Sequence, residues 1–185
     1  LTKILMRSTY HPFSILWHWL IAAVLVLAFV LVLSVDDTPG FSPAKLQLMN
    51  WHKWAGISVL VLTFLRIITR LIYPAPALAG DVRMPAWQKL AHRCTLFAML
   101  ALCLAIPLVG WAMSSAKGFP VVWFGVIALP DLVAKDKALG HNLAELHEVL
   151  AWSLAALVGL HTAAALKHRL INKDSVLQRM LPWVK

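Results

Sequence analysis

A chain of 185 residues has the size of one domain, and 61% hydrophobic residues against 14% charged ones is too apolar for an ordinary soluble domain. The formal charge of +9 would suit a nucleic-acid binder if the basic residues were interleaved along polar helices or loops. They cluster instead at the ends of apolar runs, the membrane pattern, so lipid is expected as a partner and nucleic acid is not.

The first apolar segment covers residues 13–35, with no charge between Arg7 and Asp36. It exceeds the roughly 7–15-residue apolar core of a signal peptide and no A-x-A site follows, so it reads as a span. "DDTPGFSP" (36–43) breaks the chain. The second segment covers 51–73 and is closed by "YPAPALAGDVRMP" (73–85). The third covers 87–113 and contains Pro107, where a kink is expected. "FPVVWFGVIAL" (119–129) is too short to span and reads as a segment at the interface or folded over the bundle. The fourth covers 143–170. Each long segment supplies the roughly 20 residues that cross a hydrocarbon core of about 30 Å, and a spanning chain must satisfy its own backbone, so these are helices. The fold class expected is an all-α membrane protein: a single transmembrane domain over 1–185, built as a four-helix bundle. Cys94 and Cys103 lie nine apart in one helix, about 13 Å along its axis, and read as packing residues rather than a disulfide.

With four spans both ends of the chain share a side. That side collects Lys3, Arg7, Arg66, Arg70, Arg83, Lys89, Arg93, Lys167, Arg169, Lys173, Arg179 and Lys185, twelve basic residues against five opposite: Lys45, Lys53, Lys117, Lys135 and Lys137. The positive-inside rule puts both termini in the cytoplasm, with Arg66 and Arg70 snorkelling to that face. Met6 is a candidate native start, since the sequence begins at Leu1.

Five histidines sit in or at the spans: His18, His52, His92, His147 and His161. A buried imidazole in lipid needs a partner. Depth sorts them into pairs: His18 with His161 near the cytoplasmic face, and His52 with His147 near the outer one. Fourteen residues separate His147 from His161, which puts them about 21 Å apart along one helix and about 40° apart around it. Two facing imidazoles suit axial ligation of haem iron. Structural zinc wants four ligands, and copper stays open. Gly56 and the small residues Gly159, Ala163, Ala164 and Ala165 leave room for a flat group, or serve close helix packing. Without C-x-x-C-H the haem is not covalently attached. Two b-type haems stacked across the membrane are expected.

"WHWL" (17–20), "WHKWAGISVLVLTFLRIITRLIYPAP" (51–76), "LAH" (90–92), "HEVLAW" (147–152) and "GLHTAAALKH" (159–168) resemble the bacterial cytochrome b561 family over about 10–182. The resemblance implies a dihaem b protein of the inner membrane, with ligands at His18 and His161 and at His52 and His147. It implies a superoxide oxidase that takes an electron from superoxide outside and reduces ubiquinone towards the cytoplasm. Other relatives are quinone-reactive subunits of hydrogenases and formate dehydrogenases, so an electron conduit for a partner dehydrogenase is the alternative. His168 matches a position implicated in quinone binding; the alternative is a solvated histidine between Lys167 and Arg169. The family often has a small polar residue two before the first ligand, where this chain has Leu16, with Ser14 two further back. His92 would contact a haem propionate or the quinone, or be structural. On the outer side Lys53, Lys117 and Trp123 are candidates for the superoxide site, since an anion wants fixed positive charge. A homodimer stays open.

Overall fold

The computed structural model describes residues 9–38, 40, 42–76 and 85–181. The sequence features at Lys3, Met6, Arg7, Arg83, Lys185 and 77–84 lie outside the described residues. Four long helices make up the fold: α1 (Pro12–Asp37), α2 (Pro43–Ile72), α3 (Ala86–Ala116) and α4 (Lys137–Lys167). Between α3 and α4 lies a two-stranded antiparallel hairpin, β1 (Val122–Trp123) and β2 (Ile127–Ala128), with Trp123 opposite Ile127. After α4 the chain makes a π-helical turn over His168–Asn172 and a short 3-10 turn over Leu177–Arg179.

Three of the four long helices start on a side-chain cap. His11 Nδ1 accepts from the Phe13 amide at 3.3 Å, ahead of Pro12. Ser42 Oγ accepts from the Lys45 amide at 3.2 Å, ahead of Pro43. Asp136 Oδ1 accepts from the Ala138 and Leu139 amides at 2.9 and 3.0 Å. These caps move two boundaries. The sequence starts α2 at Trp51, because "DDTPGFSP" reads as a breaker; the structure starts it at Pro43. Proline in the first turn of a helix loses no hydrogen bond and presets φ, so it opens α2 instead of ending α1's connection. α4 likewise starts at Lys137 rather than 143, because Asp136 caps it. α3 runs through Pro107.

The run 119–129 folds as the hairpin. Phe124 and Gly125 have φ of 52° and 72°, the pair of positive values that a type I′ hairpin turn requires. Phe124 holds this uncommon conformation with its ring 5.6 Å from that of Trp54. Side chains tie the hairpin to the helices below it. Trp54 Nε1 donates to Val122 O at 2.6 Å, Trp123 Nε1 to Ser58 Oγ at 3.2 Å, and Trp111 Nε1 to Pro130 O at 3.0 Å.

α1 packs along α2, α3 along α4, and α2 against α3, while α4 stands off α1 and α2. The central core takes one residue from each helix: Ile21, Val59, Cys103 and Leu154. Cys103 is thus a packing residue, whereas Cys94 is exposed; both are free thiols. Large apolar side chains such as Phe97, Trp87 and Leu71 face outward, as lipid-facing positions do. All four helices are long and apolar enough to cross a membrane, and the chain is a multi-pass membrane protein.

Candidate functional site

The gap left by α4 is where the histidines meet. His18 of α1 faces His161 of α4, with ring centres 6.3 Å apart and planes crossing at 78°. His52 of α2 faces His147 of α4, with ring centres 6.2 Å apart and planes crossing at 82°. α4 contributes one ring at each level because fourteen residues bring its face round again after about four turns.

In the second pair the tautomers follow from the partners. His52 Nδ1 bonds Ala28 O at 2.9 Å, and His147 Nδ1 bonds Ile106 O at 3.1 Å. A carbonyl can only accept, so each Nδ1 donates and each Nε2 keeps its lone pair. A metal-bound imidazole is held in this way, its second nitrogen donating to a carbonyl or carboxylate.

The spacing tests what could sit between the rings. An atom on the axis between two imidazoles, about 2 Å from each nitrogen, places the ring centres about 6 Å apart. Both pairs meet that distance. Among the described residues no group of three or more His, Cys, Asp or Glu converges, so each level offers two protein ligands. Haem iron brings four equatorial nitrogens and asks the protein for two axial ones; the donor set fits it.

Room for a flat group is visible beside the second pair. A cavity of about 320 Å³ lies between His52 and His147, bordered by Gly56, Val59, Phe29 and Trp152. That lies within the size range of small-molecule sites. A Cβ built on Gly56 would meet nothing within 4 Å, so this glycine adds to the open space. Gly110 of α3 serves the ring itself. A Cβ there would come within 2.9 Å of His147 Cε1 and 3.1 Å of Nδ1. The sequence reading does not single out Gly110, although a glycine inside an apolar helix is a signal of close approach.

The remaining candidates fall in different places. His92 is exposed on α3, within electrostatic reach of His161, His168 and Arg179. His168 opens the π turn and is only 5% exposed; its Nδ1 lies 2.6 Å from Asp174 Oδ2. The solvated alternative for His168 is therefore overturned, because the chain after α4 folds back and covers it. Trp19 Nε1 donates to Met180 O at 2.9 Å, and the Tyr10 amide to Arg179 O at 3.3 Å. Leu16 points outward while Ser14 is 1% exposed; Ser14 stands four before His18 and so shares its helix face. Arg66 Nη1 donates to Ser14 O, in the first turn of α1, at 3.2 Å. At the hairpin end Lys53 Nζ donates to Pro120 O at 3.1 Å and Trp123 Nε1 to Ser58 Oγ at 3.2 Å, two separate ties between α2 and the segment that carries the hairpin. Lys117 caps α3 and lays its stem over Gly140 of α4.

Comparison with known proteins identifies the family. A family model described as prokaryotic cytochrome b561 matches residues 9–183. Cytochrome b561 homolog 2 of Escherichia coli strain K12 is 31% identical over 175 residues, 93% of this chain and 90% of that protein. A protein named probable superoxide oxidase CybB, from Yersinia pestis, is 31% identical over 179 residues, 96% of this chain and 98% of its own length. Cytochrome b561 homolog 1 of the same E. coli strain is 31% identical over 167 residues, 89% of this chain and 92% of that protein.

Proposed function

The chain belongs to the prokaryotic cytochrome b561 family of membrane electron-transfer proteins, and from that premise we propose that it binds two b-type haems and oxidises superoxide on the periplasmic side, reducing ubiquinone towards the cytoplasm of the inner membrane. The observation that carries this reading is the pair of histidine pairs at two levels of one helix, each spaced for a single iron. The reaction class is supported by a full-length relative named as a probable superoxide oxidase.

In this reading His18 and His161 hold one haem, and His52 and His147 the other. Each haem, when bound, supplies a one-electron iron couple. The protein's own work is positioning and insulation. Ala28 O and Ile106 O fix the tautomers of His52 and His147, and Gly110 lets the His147 ring lie against α3. The apolar core of Ile21, Val59, Cys103 and Leu154 keeps water from the path between the levels. At the hairpin end Lys53, Trp123 and Lys117 form the side that receives an anion, with the Lys53 ammonium oriented by Pro120 O. At the other end His168, its Nδ1 bonded to Asp174, stands where the quinone would bind. His92 stands near both on α3.

The crossed ring planes give a spectroscopic expectation. Were a haem held between rings crossed in this way, its low-spin ferric iron would lack the orbital splitting that parallel imidazole planes impose. Low-temperature EPR of the oxidised protein should show strongly anisotropic low-spin signals, each dominated by one large g value. Ordinary rhombic spectra at both sites would show that the rings do not keep the 78° and 82° crossings.

Stopped-flow absorbance tests the reaction. Superoxide mixed with the oxidised, haem-loaded protein should reduce haem rapidly, and added ubiquinone should restore the oxidised spectrum. Fully loaded protein that superoxide leaves oxidised would assign the chain to the conduit role for a partner dehydrogenase.

A further inference from the structure

The motif R-x-x-x-R-x-x-Y-P-x-P at the end of α2 has no role in the electron path described above, yet its members converge on one place. Arg66 Nη1 donates to Ser14 O at 3.2 Å. Arg70 places its guanidinium carbon 4.7 Å from the centre of the Tyr10 ring, and Arg179 lies 5.2 Å from the same centre. Tyr73 stacks on His11, with ring centres 3.8 Å apart. Pro76 O accepts from Arg179. The motif thus gathers the start of α1, the end of α2 and the folded-back chain end around a group of guanidinium ions.

This arrangement is unbalanced in charge. Arg66 and Arg70 are one turn apart on the same helix face, where like charges repel. Among the described residues neither is ion-paired to a carboxylate. Arg70 Nη1 is buried with no hydrogen-bond partner, and so is the hydroxyl of Ser14, a residue 1% exposed. Buried donors left unmade cost roughly 1–3 kcal/mol each, and a guanidinium at a membrane depth costs more. Arg66 is engaged by Ser14 O and Arg70 is held over Tyr10. A fork of donors in this state matches the bidentate geometry of an anionic oxygen pair.

We propose that Arg66 and Arg70, with Ser14, form a binding site for anionic oxygens. The site lies beside His18 and His161, since Arg66 is within electrostatic reach of both. Its first expected occupant is the propionate carboxylates of the haem those histidines hold; the phosphate of an inner-leaflet lipid offers the same chemistry. The inference rests on the haem reading of the previous subsection, and haem content is measured in every sample to keep the two apart.

The test is a spectroelectrochemical titration of purified Arg66→Gln, Arg70→Gln and Arg70→Lys proteins, with bound phospholipid measured by phosphorus analysis on the same preparations. A positive charge beside a haem favours the reduced form, so its loss should shift one of the two potentials downward and leave the other in place. A tenfold change in the reduction equilibrium is expected, about 59 mV for one electron. Arg70→Lys should recover part of the shift, which a merely structural role would not do. Unchanged potentials with loss of bound phospholipid would assign the site to lipid phosphate. Full haem content with neither change would overturn the proposal, while absence of haem from the parent protein would overturn the haem reading instead. If Arg66→Gln fails to accumulate, Arg70→Gln and Arg70→Lys carry the test.

Discussion

Replacing His147 by alanine is expected to leave the purified protein with one haem in place of two, while the chain still folds. The histidine stands across a 6.2 Å gap from His52, and its Nδ1 is held by Ile106 O, so its Nε2 has one task in the proposed site. Losing it removes half of the axial ligation and all of the ring contact on that side of the cavity. The pair His18 and His161 lies about 21 Å further along α4 and should keep its haem. The apolar core supplies the folding free energy, and the largest local loss is the ring itself, a few kcal/mol. His141→Ala is the control. That histidine sits one or two turns before His147 on the same helix, with its Nε2 3.3 Å from Glu145 on the surface. An exposed pair of this kind contributes little, and haem content should be unchanged. The pyridine haemochrome assay, normalised to protein, reads both variants. A His147→Ala protein with undiminished haem would remove His147 from the site.

A second large effect is expected from a much smaller change. Gly110→Ala, at an ordinary helix position, would stabilise the protein by roughly 0.5–1 kcal/mol, because alanine is the better helix former. Here the sign should reverse. The new methyl carbon would lie 2.9 Å from His147 Cε1, closer than side chains approach, so the ring or α4 must move. The ring is not free to swing, because its Nδ1 is tied to Ile106 O one turn before Gly110 on the same helix. Moving α4 instead would disturb Leu154 in the central core. The variant should lose haem from the hairpin-side level, or hold it with an altered EPR signal, while Gly159→Ala on α4, where a Cβ meets nothing within 4 Å, should hold both haems. Wild-type haem content and an unaltered spectrum in Gly110→Ala would show that α3 does not shape the His147 site.

The spans and the histidine pairing were legible in the sequence for a physical reason. Lipid strips the pattern down: apolar length marks a span, and any imidazole inside it must have a partner. The depth of His18, His52, His147 and His161 along four helices of known direction is enough to pair them, and the structure brings the same rings together. What escaped depends on contacts that no window along the chain records. Pro43 reads as a stop until Ser42 is seen capping the helix it begins. The run 119–129 reads as lying at the interface or folded over the bundle, and only the bonds of Trp54, Trp111 and Trp123 show how its hairpin is fastened to the helices. For His168 the sequence leaves a quinone contact and a solvated residue between Lys167 and Arg169 side by side; its cover comes from Asp174 and the chain beyond. Gly110 leaves a gap that has meaning only beside a ring from another helix. Arg66 and Arg70 carry the snorkelling signature, but their contacts with Ser14 and Tyr10, more than fifty residues away, are not legible along the chain.

The central claim is that α4 offers two axial ligands at two levels, each to its own iron. Quantifying haem b in the purified, unsubstituted protein tests this most directly, by pyridine haemochrome against protein determined by amino-acid analysis. Two haems per chain are predicted, with a reduced-minus-oxidised spectrum of b type. One haem per chain, or none, would contradict the account.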